Sequence, residues 1–208
     1  MKKVVFLTLA LVSVSVLSYA QNAKSFYRSS YESRNSGSFR QSFSLLTLGY
    51  GFPNLTLPDV AFGVGNSNNH FGIGPMYLKY EHGFLRDEIG LGGHIAFSHA
   101  WENYTIAGTK YTNVVSAFSA SIKGFYHFNK LIPISTLDVY ASAGLSFWNR
   151  AYNYDSDWPY AKNDYTDTNV YPVLQIGARY YVKPKIGLYA EAGYDQMSTV
   201  NLGVTFKL

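Results

Sequence analysis

The inner faces of several alternating segments collect Lys79, Glu81, His94, Lys123, Asp138, Arg179, Glu191 and Lys207. Charges of both signs converging in this way allow an ion path, a catalytic cluster, or a set of salt bridges that fills an interior. A buried charge must be paired and hydrogen-bonded, so the salt-bridged interior is the expectation. A serine-type nucleophilic site needs Ser, His and an acid in one place. The nearest approach is Ser98 and His99 with Glu102, beside Trp101. Consecutive strand residues point to opposite faces, so Ser98 and His99 cooperate only if the strand has already ended. The expected reading is a strand end with an interfacial aromatic residue. Asp155, Asp157, Asp164 and Asp167 lack the spacing and the Gly of a defined calcium loop and read as a solvated acidic connection. Two short glycosylation sequons, at Asn54 and Asn103, are assigned no function. With no Cys there is neither a disulfide framework nor a thiolate metal site, and no catalytic residue, metal or cofactor is assigned.

The elements that position these side chains are read from period-two alternation. The last residues give the plainest case: Val200, Leu202, Val204, Phe206 and Leu208 alternate with Asn201, Gly203, Thr205 and Lys207. A strand that ends the sequence with one apolar face is accounted for if lipid covers that face and the strand pairs back onto the first to close a barrel. Seven further strands are expected at residues 45–52, 71–84, 88–98, 114–128, 137–148, 171–182 and 186–194. Each has an apolar outer set, such as Ile89, Leu91, Ile95 and Phe97, against a small or polar inner set, such as Gly90, Gly92, His94, Ala96 and Ser98. The expected connections run long (53–69), short, long (99–113), short, long (149–170), short, short. With the first strand rising from the periplasm, every long connection lies outside the cell. Arg179 and Glu191 both face in, which predicts a three-residue turn over 184–186 that sets them directly opposite one another.

At the N-terminus a basic Met1-Lys2-Lys3, an apolar run over residues 4–16 and Ser18-Tyr19-Ala20 have the layout of a secretory signal. The run is short of the roughly 20 residues a spanning helix needs. Residues 1–20 are therefore expected to be a removed signal, 21–41 a flexible periplasmic leader and 42–208 the barrel. Taking Lys2 and Lys3 from the 17 basic side chains leaves 15 against 13 acidic ones, a balance that excludes the electrostatic footprint of a nucleic-acid binder. Beside only 14% charged residues stand 19 Tyr, 14 Phe and 18 Gly, which fits a membrane barrel with interfacial aromatics.

On strand count, loop order, the Gly-Pro-Met-Tyr-Leu-Lys-Tyr-Glu segment from Gly74 to Glu81 and the form of the final strand, residues 42–208 resemble the small eight-stranded outer-membrane barrels. That outer-membrane-protein β-barrel-domain family includes the OmpA transmembrane domain and OmpX. The terminal Leu208 departs from the aromatic that usually ends such strands; Phe206 is the nearest substitute. The resemblance implies an all-β, eight-stranded antiparallel transmembrane barrel in the outer membrane of a Gram-negative bacterium. It also implies an interior Glu, Lys, Arg, Glu cluster, for which Glu81, Lys123, Arg179 and Glu191 are the counterparts. Members have diverse roles, so it speaks to fold more than to function. The expected role is a non-enzymatic anchor or surface module whose outer loops meet partners, with outer-membrane lipid and lipopolysaccharide around it. Porin-like passage of small solutes and lipid A modification are the alternatives. Tyr152, Tyr154, Trp158, Tyr160 and Tyr165 in the longest connection are the candidate contact residues, since Tyr and Trp supply contact area at low entropic cost. They could instead pack on one another as a cap.

Overall fold

A computed structural model describes residues 37–56, 66–156 and 163–208. The expected signal segment, residues 21–36 of the expected leader, and Trp158 and Tyr160 lie outside them. Eight antiparallel strands close into a barrel in chain order: β1 (Ser44–Phe52), β2 (Asn66–Gly83), β3 (Ile89–Ile106), β4 (Thr109–His127), β5 (Leu137–Ser156), β6 (Asn163–Lys183), β7 (Ile186–Tyr194) and β8 (Val200–Lys207). Among the described residues there is no helix. The seam pairs β1 with β8 from Leu45↔Lys207 to Phe52↔Val200, and is pinned inside by a hydrogen bond from Thr47 Oγ1 to Thr205 Oγ1 at 2.9 Å. Closure leaves the sheet no edge over the height of these two strands, which is what lipid demands of a spanning sheet.

The faces fall as their alternation predicts. Leu48, Tyr50, Leu78, Leu91, Ile95, Ile122, Leu145, Leu174, Ile176, Leu188 and Leu202 form an exposed apolar belt. Aromatic residues flank it: Phe52, Phe71 and Tyr194 toward one end, Tyr80, Tyr126 and Tyr180 toward the other. Inside, Tyr side chains fill notches left by Gly. A β-carbon at Gly177 would lie 2.5 Å from Tyr140 Cζ, and one at Gly49 would collide with the Tyr189 hydroxyl. This pairing of large and small residues accounts for the joint excess of Tyr and Gly.

Two expectations about connections are corrected. Residues 99–113 are not a polar loop: β3 runs to Ile106 and β4 starts at Thr109, leaving a two-residue turn. Its residues Ala107 and Gly108 have φ of 49° and 85°, the left-handed pair that matches strand twist in a tight hairpin. Residues 149–170 are likewise mostly strand, with β5 and β6 paired up to Tyr154↔Asn163. Beyond the apolar belt the outer face carries polar residues such as Asn149 and Thr168, so these extensions lose the alternation by which a strand is recognised.

A third correction concerns register. Arg179 stands opposite Tyr189, and Glu191 opposite Gly177. The turn is the two residues Pro184 and Lys185, with Lys183↔Ile186 as the last pair and a register shift between Tyr181 and Lys183. Val182 is the extra residue, and this bulge supplies the odd step that puts Arg179 and Glu191 on one face.

Candidate functional site

The lumen holds two layers of charge. In the layer nearer the end that carries the β2–β3, β4–β5 and β6–β7 turns, His127 meets Asp138 Oδ1 through Nδ1 at 2.7 Å and Glu81 Oε1 through Nε2 at 2.6 Å. Arg179 donates from Nη1 to Asp138 Oδ2 at 2.8 Å and from Nη2 to Glu81 Oε2 at 2.6 Å. Each carboxylate thus joins one imidazole nitrogen to one guanidinium nitrogen, and the four side chains form a closed ring. The guanidinium also lies 4.0 Å from the centroid of the Tyr140 ring.

Tyr140 links the two layers by donating to Glu191 Oε1 at 2.6 Å. Glu191 Oε2 is salt-bridged to Lys79, with Lys123 Nζ 4.0 Å away. Lys123 donates to Gln175 Oε1 at 2.8 Å, and Gln175 Nε2 reaches Asp195 Oδ2 at 3.5 Å. His94 meets Ser119 Oγ at 3.1 Å, which in turn meets Ser146 Oγ at 3.0 Å. Glu81, Lys123, Arg179 and Glu191 are therefore all buried in the lumen but divide between the layers: Arg179 with Glu81, Lys123 near Glu191. His127 was overlooked from sequence, although its position two residues beyond Phe125 on an inward series was signal enough.

Described residues pack against both ends of the lumen. Phe39 lies flat on His127, Lys207 Nζ donates to the Ser38 carbonyl, and Asn129 Nδ2 donates to the Phe39 carbonyl at 2.9 Å. Residues 37–41, assigned to the leader by sequence, thus include a buried segment, Gly37 to Phe39, packed into the barrel end. At the outer end Leu55 N donates to the Met197 carbonyl, Ser98 Oγ to Asn54 Oδ1 at 2.8 Å, and Tyr77 OH lies 2.9 Å from Ser198 Oγ. Asp195, in the turn beyond β7, accepts from Met197 N at 3.0 Å. Burial holds its carboxyl above the usual range, against the opposing pull of that hydrogen bond.

Ser98, His99 and Glu102 do not assemble. Ser98 and Glu102 are buried on the inner face, while His99 faces outward onto Ser116 Oγ at 2.9 Å. Among the described residues no three His, Asp or Glu side chains come together as a metal site. Asp155, Asp164 and Asp167 stand opposite Thr112, Asn153 and Arg150 instead.

Of the loop aromatics, Tyr152 and Tyr165 are a directly opposed pair on β5 and β6, with ring centroids 4.3 Å apart and planes 11° from parallel. Tyr154 stacks on Tyr165 at 6.0 Å. Arg150 Nη1 donates to Tyr152 OH at 3.3 Å and its guanidinium lies 4.1 Å from the centroid of the Trp148 ring. Tyr152 is buried by these contacts, whereas Tyr165 is 46% exposed.

These features define a closed eight-stranded antiparallel barrel with an apolar outer belt and a filled, charge-paired lumen. No family model matches the sequence, and no curated protein matches it either. Among solved structures, the chain is similar to Ail, the attachment invasion locus protein of Yersinia pestis, in complex with the heparin analogue sucrose octasulfate. The identity is 13% and the TM-score 0.42, over 82% of this chain and 96% of that one. The N-terminal β-barrel domain of Pseudomonas aeruginosa OprF is similar at 17% identity and a TM-score of 0.42, over 82% and 99%. The barrel assignment rests on the hydrogen-bonded register above and takes nothing from these distant likenesses.

Proposed function

We propose that this protein is a non-enzymatic integral outer-membrane barrel, exported by a cleaved signal, that anchors a rigid raised sheet as a contact surface for partners outside the cell. The observation that carries this reading is the unequal height of the wall. β2 to β6 are 18, 18, 19, 20 and 21 residues long, whereas β7, β8 and β1 are 9, 8 and 9. Since the short strands suffice to cross the bilayer, the extra length of the others stands beyond it as a sheet continuous from β2 to β6. β7 pairs with β6 only from Leu174 onward, so residues 163–173 of β6 form a lateral edge of that sheet. Such an edge, next to Tyr165, offers backbone pairing and aromatic area together.

Replacing residues 149–170 by a short Gly-Ser turn tests the reading. Heat-modifiable gel migration and β-type circular dichroism in detergent are expected to persist. Whatever partner co-purifies with the intact protein from native membranes is expected to be lost. Recovery of the same partner with the raised hairpin gone moves recognition elsewhere on the barrel.

A further inference from the structure

We propose that the periplasmic end of the barrel is a collar that binds the headgroups of anionic phospholipids in the inner leaflet of the outer membrane, a proposal that rests on the membrane-spanning reading above. Each of the three hairpin ends here sets an exposed base beside an exposed apolar residue: Leu85 with Arg86 and Lys130 with Leu131 in their turns, and Val182 with Lys183 at the end of β6, next to the Pro184–Lys185 turn. Lys185 and Arg40 add two more exposed bases at the same end. Leu131 is 78% exposed, and Ile134 in the same turn is also exposed. One bare Leu on a turn needs no explanation. The same pairing at three independent hairpin ends, each just past the apolar belt, is the pattern of residues seated at the boundary between acyl chains and headgroups, with apolar tips inserted and basic heads lifted to the phosphates.

The bases are in the main not spent within the protein. Lys130 is bound to Glu88 at 2.8 Å. Asp87, the other acid here, accepts from the Gln41 backbone at 2.9 Å. Among the described residues, no ion pair holds Arg86, Lys183 or Lys185. Lys130 and Arg86 are close enough to repel one another, and so are Lys207 and Arg40. Cations crowded at one rim need an external counter-charge, and an anionic leaflet supplies it within a Debye length. The opposite end has the reverse character. Its raised sheet carries Asp155, Asp164 and Asp167 against Lys110 and Arg150, and its described turns, Ala107 with Gly108 and residues 195–199, contain no base. The attraction is thus confined to one leaflet.

The test is lipid selectivity of the folded barrel in phosphatidylcholine vesicles, read from the motionally restricted fraction of trace spin-labelled phosphatidylglycerol or phosphatidylcholine. The wild-type protein is expected to prefer phosphatidylglycerol by about fivefold for each base in reach of the surface, with salt lowering the preference. The Arg86→Gln, Lys183→Gln, Lys185→Gln triple variant is expected to lose most of it, and Lys110→Gln at the other end none. All four positions are exposed, and heat-modifiability verifies that each variant is folded. Folded, inserted wild-type protein without selectivity overturns the proposal while leaving the barrel reading intact, and so does a triple variant that selects as well as the wild type. A chain that never enters vesicles defeats both.

Discussion

Arg179 on β6 reaches across the lumen to Glu81 on β2, donating at 2.6 Å, while Glu191 on the neighbouring β7 is held by Lys79 and Tyr140 instead. The guanidinium is the shared partner of Glu81 and Asp138, two buried carboxylates that His127 also contacts.

Removing the guanidinium leaves the two buried carboxylates with His127 as their only shared partner. Arg179→Ala is expected to lower stability by about 3–5 kcal/mol, as for a broken buried pair, measured by urea unfolding of the detergent-folded barrel. Arg179→Ala combined with Glu81→Gln is expected to cost less than the sum of the single changes, because the second change removes one of those two charges. Strict additivity would show that the two residues do not interact.

Phe39 is fully buried and its ring centroid lies 3.5 Å from that of His127. Phe39→Ala is expected to cost about 3–5 kcal/mol by the same unfolding assay without changing the β-type circular dichroism, since the residue precedes β1 and belongs to no ladder. An unchanged midpoint would show that residues 37–41 do not pack here in solution.

Asp195 gives a pH dependence with a definite sign. Its folded carboxyl is held above the ordinary value by burial, so its favourable contribution is complete below the unfolded value and is lost as pH rises through the folded one. Asp195→Asn keeps an acceptor for Met197 N and never ionises. The stability difference, variant minus wild type, is expected to rise as pH increases upward from the ordinary carboxylate value, as read from unfolding midpoints over a pH series. A flat or falling difference contradicts the assignment.

Tyr77, Phe125, Tyr140, Trp148, Tyr181 and Tyr189 are buried inside the lumen. Planar bilayers containing the protein are expected to show no stable stepwise openings, because an eight-stranded barrel with its interior occupied has no room for a water column. Steady unitary currents would favour solute passage.

The membrane-spanning part of every strand was legible because lipid outside and a packed lumen inside impose opposite chemistry on successive residues. Leu188, Ala190 and Ala192 against Tyr189 and Glu191 could hardly be read otherwise. What was misread lies where one of those two selections stops. Above the bilayer, Asn149 and Thr168 face outward and hydrogen-bond to one another at 2.7 Å, so polar residues occupy the outer face and the strands pass for a loop. The charged residues were legible as a set because parity assigns them to the lumen. Their partners were not, since pairing across a barrel depends on strand tilt and on the Val182 bulge, and neither leaves a mark in local pattern. Tyr152, Tyr154 and Tyr165 illustrate the same limit: their composition points to an exposed aromatic surface, and only the register reveals that Tyr152 is shielded by Tyr165.

The seam between β1 and β8 is the shortest part of the wall and joins residues far apart in the chain, as in the 158-residue separation of Thr47 and Thr205. The hairpins β3–β4 and β5–β6 pair residues close in sequence along nearly their whole length. Local contacts form before distant ones, because the entropy of closing a large loop opposes the latter. The barrel is thus expected to assemble from its tall side, as a curling sheet of finished hairpins, with β1 and β8 meeting last at the low seam.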